Sequence, residues 1–88
     1  WSMMYSVKLH PKVKKFINKL DNNLNDRLTN RLKVLKVNDP FVYLEPYEGE
    51  NCYKFRLGDY RALVDVDMNR KIIFVRVLDH RRRIYKRA

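Results

Sequence analysis

The stretch CYKFRLGDYRALV, from Cys52 to Val64, decides the fold of this chain. Two runs rich in apolar and aromatic residues flank Gly58-Asp59, and this pattern predicts a β-hairpin with a two-residue loop. In that register Arg56 lies opposite Arg61. Strand alternation then sends Lys54, Arg56 and Arg61 to one face of the hairpin. The other face carries Tyr53, Phe55, Ala62 and Val64.

The three cations on one hairpin face are the first functional signal. Like charges placed directly opposite one another destabilise a hairpin. We therefore expect the cationic face to bind an anion, which favours phosphate chemistry or contact with nucleic acid. The alternative is a solvated sheet face that binds nothing.

Composition predicts one small basic domain over residues 1–88. The 88 residues include 20 Lys and Arg against 10 Asp and Glu, which gives a net charge of +10. This charge favours a polyanionic or acidic partner. Because 45% of the residues are hydrophobic, the composition argues against intrinsic disorder.

Segment composition bears on the compartment. No apolar run approaches the roughly 20 residues that a membrane span needs, and no signal-peptide pattern is present. We therefore expect a cytoplasmic protein with no membrane partner. The single cysteine, Cys52, permits no internal disulfide and fits a reducing compartment. Trp1-Ser2 precedes Met3-Met4 and is expected to be a cloning remnant.

The remaining patterns predict an α+β fold of order β-α-α-β-β-β. The elements are a strand at 4–9, helices on the apolar stripes of 13–20 and 24–35, a loop at 41–51, and strands at 52–57, 60–66 and 71–78. We expect the two-helix hairpin to cover one face of a twisted, mainly antiparallel four-stranded sheet. The other face, which carries the cations, would stay partly open. A four-residue turn at 67–70, between the last two predicted strands, places Arg76 opposite Arg61, which would enlarge the cluster.

At this point the residues resemble a known family. The chain looks like a RelE-type toxin of the RelE/ParE superfamily, from toxin–antitoxin operons. The resemblance covers nearly the whole chain and is sharpest in YKFRLGDYR (53–61) and VRVLDHRRRIY (75–85). The second segment, a basic cluster followed by an apolar residue and a tyrosine, resembles the ribonuclease members more than the gyrase-directed ones.

The resemblance implies a specific activity. RelE-type toxins inhibit translation by cutting messenger RNA in the ribosomal A site, without a metal or other cofactor. The RNA 2′-hydroxyl is the nucleophile, so the products would carry a 2′,3′-cyclic phosphate and a 5′-hydroxyl. The implied partners are mRNA, the ribosome with its rRNA, and a cognate antitoxin that covers the basic face.

The resemblance also implies the site residues. The candidate catalytic residues are Lys54, Arg56, Arg61, His80, Arg81 and Tyr85. Whether His80 or Arg81 takes the family role after the last strand stays open, and so does the choice of Lys54 or His80 as general base. The predicted RNA- or ribosome-binding residues are Arg76, Arg82, Arg83, Lys86 and Arg87, which could serve as an electrostatic anchor alone.

Two other functions stay open at this stage. One is a ParE-like inhibitor of DNA gyrase that has no nuclease activity. The other is a basic module that binds RNA or ribosomes without catalysis, because a set of cations does not by itself establish turnover.

Overall fold

The computed structural model of the protein describes residues 4–48 and 51–84. In chain order the elements are β1 (Ser6–Leu9), α1 (Pro11–Asn18), α2 (Asn22–Leu32), β2 (Leu44–Tyr47), β3 (Cys52–Leu57), β4 (Tyr60–Asp67) and β5 (Ile72–His80). Short 3₁₀ turns at Lys33–Leu35 and Pro40–Tyr43 connect α2 to β2. Neither helix of this described part is long and apolar enough to cross a bilayer.

The five strands form one sheet in the order β1-β5-β4-β3-β2. Only β1 and β5 pair in parallel, and the other three pairs are antiparallel. The predicted α+β fold with a mainly antiparallel sheet is confirmed, but the predicted strand number of four is wrong. The additional strand, β2, lies in the stretch that was predicted to be a loop. It pairs with β3 at the sheet edge, where Pro46 is tolerated because one side of an edge strand forms no ladder.

The predicted hairpin register is confirmed. Arg56 lies opposite Arg61 and Phe55 lies opposite Ala62 on β3 and β4. The turn between them depends on Gly58, whose φ of 64° lies in the left-handed region. A side chain at this φ is disfavoured by contact with its own backbone, and glycine avoids that cost.

Both helices begin at side-chain caps and bury one stripe each. Nδ1 of His10 accepts the backbone N–H of Lys12 at 3.1 Å, and Oδ1 of Asp21 accepts that of Leu24 at 2.9 Å. The buried helical residues recur at i and i+4, as expected for amphipathic helices. The main core joins them to the sheet through Val13, Ile17, Leu28, Leu32, Phe55, Ala62, Val64, Ile73 and Val75.

The sheet face away from the helices carries a second, smaller core. Cys52, Leu63 and Ile84 are buried there, with Tyr47 and Val77 packed against them. The face is partly open, as expected, because the turn after β5 brings Ile84 over its middle and leaves Arg56 exposed. The cations near the hairpin turn flank this covered region.

Arg76 does not lie opposite Arg61, and that prediction is wrong. Arg61 lies opposite Asp79, three residues further along β5. Leu63 pairs with Val77 and Val64 pairs with Val75, so Arg76 is the extra residue of a β-bulge. A bulge inserts a residue that strand alternation cannot reveal, and together with the later start of β5 it displaces the register.

Substitution of Gly58 tests the hairpin turn. A Cβ built at Gly58 meets nothing within 4 Å, so the cost of Gly58→Ala is the backbone conformation alone. We expect Gly58→Ala to lower the free energy of unfolding by about 1 kcal/mol in urea titrations followed by circular dichroism. Gly58→Asn should cost less, because asparagine tolerates the left-handed region better. Equal losses for the two variants would contradict this account.

Candidate nucleic-acid interface

Arg56 and Arg61 form the centre of the site, next to the β3–β4 turn. Arg56 is exposed, whereas only 8% of Arg61 is exposed. Nη1 of Arg61 donates to the carbonyl oxygens of Gly58 and Tyr60. The carbonyl dipoles of the turn therefore hold the guanidinium of Arg61, and this offsets the repulsion between two arginines directly opposite one another.

Lys54 lies on the same face, two residues before Arg56 on β3 and therefore further from the turn. Its side chain is 25% exposed, and Nζ lies 3.7 Å from Oε2 of Glu45. Glu45 is opposite Lys54 in the β2–β3 ladder. The charge of Lys54 is thus compensated in part by an acid that sequence reasoning missed, because Glu45 lies in the predicted loop.

The three consecutive arginines after β5 form a turn that is fastened to the hairpin. The backbone N–H of Arg81 donates to the carbonyl of Asp59 at 2.8 Å, which extends the β4–β5 ladder by one step. The backbone N–H of Arg83 donates to the carbonyl of His80 at 2.8 Å and closes the turn. The side chains of Arg81, Arg82 and Arg83 are all exposed. Exposed guanidinium groups on a turn that is bonded to the end of the β3–β4 hairpin suit the binding of phosphate oxygens.

Asp79 is a buried acid inside this basic region. Only 1% of it is exposed, and it lies opposite Arg61 on the neighbouring strand. Oδ1 accepts the backbone N–H of His80 at 2.7 Å and lies 3.3 Å from Nε of Arg83. Sequence reasoning missed this residue, although the Asp79–Arg83 spacing after an apolar strand was a usable signal. Asp79 fastens the turn to the end of β5.

His80 lies on the other face of the sheet, toward the helices. It is opposite Tyr60, and the two ring centroids are 5.5 Å apart. Nδ1 of His80 accepts the backbone N–H of Arg82 at 3.2 Å. A neutral imidazole has one ring nitrogen that can accept a proton, and in His80 this hydrogen bond occupies it. Its pairing with Tyr60 also separates His80 from the face that carries Lys54, Arg56 and Arg61.

Apart from His80, the predicted site residues divide into three groups. Lys54, Arg56, Arg61 and the Arg81–Arg83 turn lie around the hairpin end. Arg76 lies elsewhere, with Nη1 3.3 Å from Oδ1 of Asp65. Tyr85, Lys86 and Arg87 lie outside the described residues. Within residues 4–48 and 51–84, no three His, Cys, Asp or Glu side chains are grouped so that they could hold a metal ion.

Comparisons with known proteins agree with this fold. The family model for the ParE toxin of the type II toxin–antitoxin system, parDE, matches residues 7–84. The toxin–antitoxin complex RelBE2 of Mycobacterium tuberculosis is similar with a TM-score of 0.77 and 21% identity, over 89% of this chain and 99% of that chain. The archaeal RelE–RelB complex of Pyrococcus horikoshii OT3 gives a TM-score of 0.72 and 28% identity, over 88% and 94%. The intact RelBE complex of Escherichia coli gives 0.66 and 22%, over 86% and 95%. A search of the curated proteins finds no significant match.

Removal of Asp79 tests whether a buried acid holds the basic turn. We expect Asp79→Ala to lower the free energy of unfolding by about 2 kcal/mol, because the backbone N–H of His80 loses its acceptor at a buried position. Asp65→Ala is the matched control, since its ion pair with Arg76 has the same 3.3 Å separation but its side chain is 46% exposed. This control should cost less than about 1 kcal/mol in the same urea titration. Similar losses for both variants would contradict the importance of burial at Asp79.

Proposed function

The chain belongs to the RelE/ParE family of toxins from type II toxin–antitoxin systems, and on that premise we propose that it is a ribosome-dependent endoribonuclease. Its substrate is messenger RNA in the ribosomal A site, and its effect is inhibition of translation in the cytoplasm. The observation that carries this proposal is the group of arginines at the hairpin end, where Arg56 and the Arg81–Arg83 turn are exposed. The archaeal RelE–RelB complex, at 28% identity, supports the nuclease branch of the family.

The proposed reaction is in-line cleavage by the 2′-hydroxyl of the RNA. The 2′-hydroxyl gives its proton to a base and its oxygen forms a bond to phosphorus. The bond from phosphorus to the 5′-oxygen breaks, and that oxygen takes a proton from an acid. The products are a 2′,3′-cyclic phosphate and a 5′-hydroxyl. The reaction needs no metal in this proposal, because the substrate supplies the nucleophile and the arginines supply the positive charge.

In this proposal, different residues bind the phosphate, act as the general base and act as the general acid. Arg56 and Arg81 can bind the phosphate oxygens through their planar guanidinium groups, and Arg61 adds a fixed positive charge behind them. Lys54 is the candidate base on this face. Tyr85 resembles the family's tyrosine near the C-terminus, and in this proposal its hydroxyl donates the proton to the 5′-oxygen. General acid–base groups of this kind contribute about 10²–10⁴-fold to a rate.

The remaining residues serve binding in this proposal. Arg82 and Arg83, with Arg76, Lys86 and Arg87, supply contacts to rRNA phosphates, and the net charge of +10 favours such an anchor. The ribosome contributes by orienting the mRNA for in-line attack. We also propose a cognate antitoxin as partner, because three solved structures that resemble the chain are toxin–antitoxin complexes. An acidic surface on that antitoxin would complement the basic face.

A second function has one specific observation in its favour. The matching family model is the one for ParE toxins, and ParE-like proteins inhibit DNA gyrase without cutting nucleic acid. Intact mRNA together with inhibition of gyrase supercoiling would establish that function and exclude the nuclease. A third candidate, a basic module that binds ribosomes without catalysis, would leave both mRNA and gyrase unaffected.

Truncation of the exposed arginines tests the site. We expect Arg56→Ala and Arg81→Ala each to lower the rate of mRNA cleavage by about 100-fold, since each removes a donor to the charged transition state. The rate is measured by primer extension on mRNA in a reconstituted translation system. Ribosome binding, measured by co-sedimentation, should fall much less.

Arg70→Ala is the control for that experiment. Arg70 is an exposed arginine in the turn between β4 and β5, with Nε 3.9 Å from Oδ2 of Asp67. Its substitution removes the same charge at the opposite end of the hairpin, so cleavage should persist. Equal losses of cleavage in all three variants would reduce the cluster to a general electrostatic anchor.

Lys54→Arg separates a base from a fixed charge. Arginine keeps the positive charge but does not release its proton in proteins, so it cannot act as a base. We expect Lys54→Arg to lose as much cleavage as Lys54→Ala in the primer-extension assay. If Lys54→Arg cleaves at the wild-type rate, Lys54 acts only through its charge and the base must be another group.

A further inference from the structure

We propose that the groove between α2 and the β3–β4 turn binds a nucleotide of single-stranded RNA adjacent to the cleaved phosphate. This inference rests on the proposed nuclease function and adds a second subsite to it. The groove has a volume of about 740 Å³, with Arg27 and Arg31 of α2 on one side and Gly58-Asp59 on the other. Small-ligand sites occupy about 300–1,000 Å³, so a nucleotide is of a suitable size.

Two half-buried rings line the groove where the helices leave the sheet uncovered. Tyr60 and His80 are neighbours across β4 and β5, with their ring planes inclined at 73°. Both remain partly accessible although the rest of this face is packed against the helices. Unstacked RNA bases bind to proteins by stacking on such aromatic rings and on guanidinium planes. The ring pair therefore suits a base better than it suits an inorganic anion.

The two arginines of α2 have different roles in the groove. Nε of Arg31 donates to the carbonyl of Arg56 at 3.1 Å, and its guanidinium lies 4.9 Å from the centroid of the Phe55 ring. These contacts hold the Arg31 side chain in place, so it forms one side of the groove. Arg27 is exposed, and within the described part of the chain its side chain has no hydrogen bond or ion pair. Arg27 is thus available to bind a phosphate oxygen of the nucleotide.

The hydrogen bond to His80 determines which group its ring can present to a nucleobase. Nδ1 of His80 accepts the backbone N–H of Arg82, so the neutral imidazole carries its proton on Nε2. The Nε2–H group can donate to a carbonyl oxygen or a ring nitrogen of a nucleobase. The residue that competed with Lys54 as a catalytic base in the sequence is assigned here to recognition of a neighbouring nucleotide.

The groove is continuous with the cationic cluster through the hairpin end. Arg31 binds the carbonyl of Arg56, and the N–H of Arg81 binds the carbonyl of Asp59. An RNA chain with one phosphate bound to Arg56 and Arg81 reaches the groove by passing around the β3–β4 turn. Gly58 eases this passage, because it presents no side chain and nothing lies within 4 Å of the place where a Cβ would be.

The test is an NMR titration of the isotope-labelled protein with a tetranucleotide whose 2′-oxygens are methylated. This probe cannot be cleaved, since it lacks the 2′-hydroxyl nucleophile. We expect the imidazole signals of His80 and the signals of Arg27 to shift together and to saturate. Arg27→Ala should weaken binding on the order of tenfold, as for loss of a charged hydrogen bond. Lys14→Ala removes an exposed cation of α1 outside the groove and should leave binding nearly unchanged.

Three results would overturn the groove proposal. The first is a set of shifts confined to Arg56 and Arg81, with no effect of Arg27→Ala. The second is reproduction of the His80 shifts by inorganic phosphate alone, and the third is displacement of the tetranucleotide by an equal concentration of an acidic hexapeptide. If mRNA stays intact in the translation assay while the groove signals still respond, the nuclease proposal fails and nucleotide binding in the groove stands. If cleavage proceeds with silent groove signals, only the groove proposal fails.

Discussion

The buried carboxylate of Asp79 is the interaction on which the rest of the candidate site depends. It lies opposite Arg61, accepts the N–H of His80 and approaches Nε of Arg83 to 3.3 Å. A carboxylate that is 1% exposed is costly to bury unless donors and cations surround it. Part of the basic cluster therefore compensates this acid. The same contacts hold the turn after β5 in place, and that turn brings Ile84 onto the second core.

Intramolecular contacts separate a fixed cation from exposed ones. Arg61 donates to the carbonyls of the hairpin turn, and Lys54, the candidate base, has Glu45 within 3.7 Å. Arg56 and Arg81 are exposed beside them. Fixed charges that need no rearrangement stabilise a transition state more effectively than mobile ones, because the reorganisation is already complete. Exposed arginines can in turn reach a substrate that arrives from solvent. A phosphodiester at the hairpin end would meet both kinds.

The local sequence pattern predicted the β3–β4 hairpin correctly, whereas β2 and the burial of Asp79 depend on contacts between residues that are distant in the sequence. The two-residue turn leaves one register for β3 and β4, so the pairing of Arg56 with Arg61 could be predicted and is confirmed. β2 was missed because Pro46 and nearby acids are typical of loops, whereas its strand state comes from pairing with β3. The burial of Asp79 was also missed, since it depends on a turn that returns over the sheet. Local charge patterns do not contain that information.

The bulge at Arg76 determines which residues meet at the hairpin end. Consecutive residues of a strand point to opposite faces, so one extra residue exchanges the faces of everything beyond it. With the bulge, Asp79 lies opposite Arg61 on the cationic face and His80 lies on the helix face. Without it, the pairing near the β4–β5 turn would continue unchanged, and the acid would face the groove while the histidine faced the arginines. A single inserted residue thus gives the cationic face its compensating carboxylate and gives the groove its imidazole.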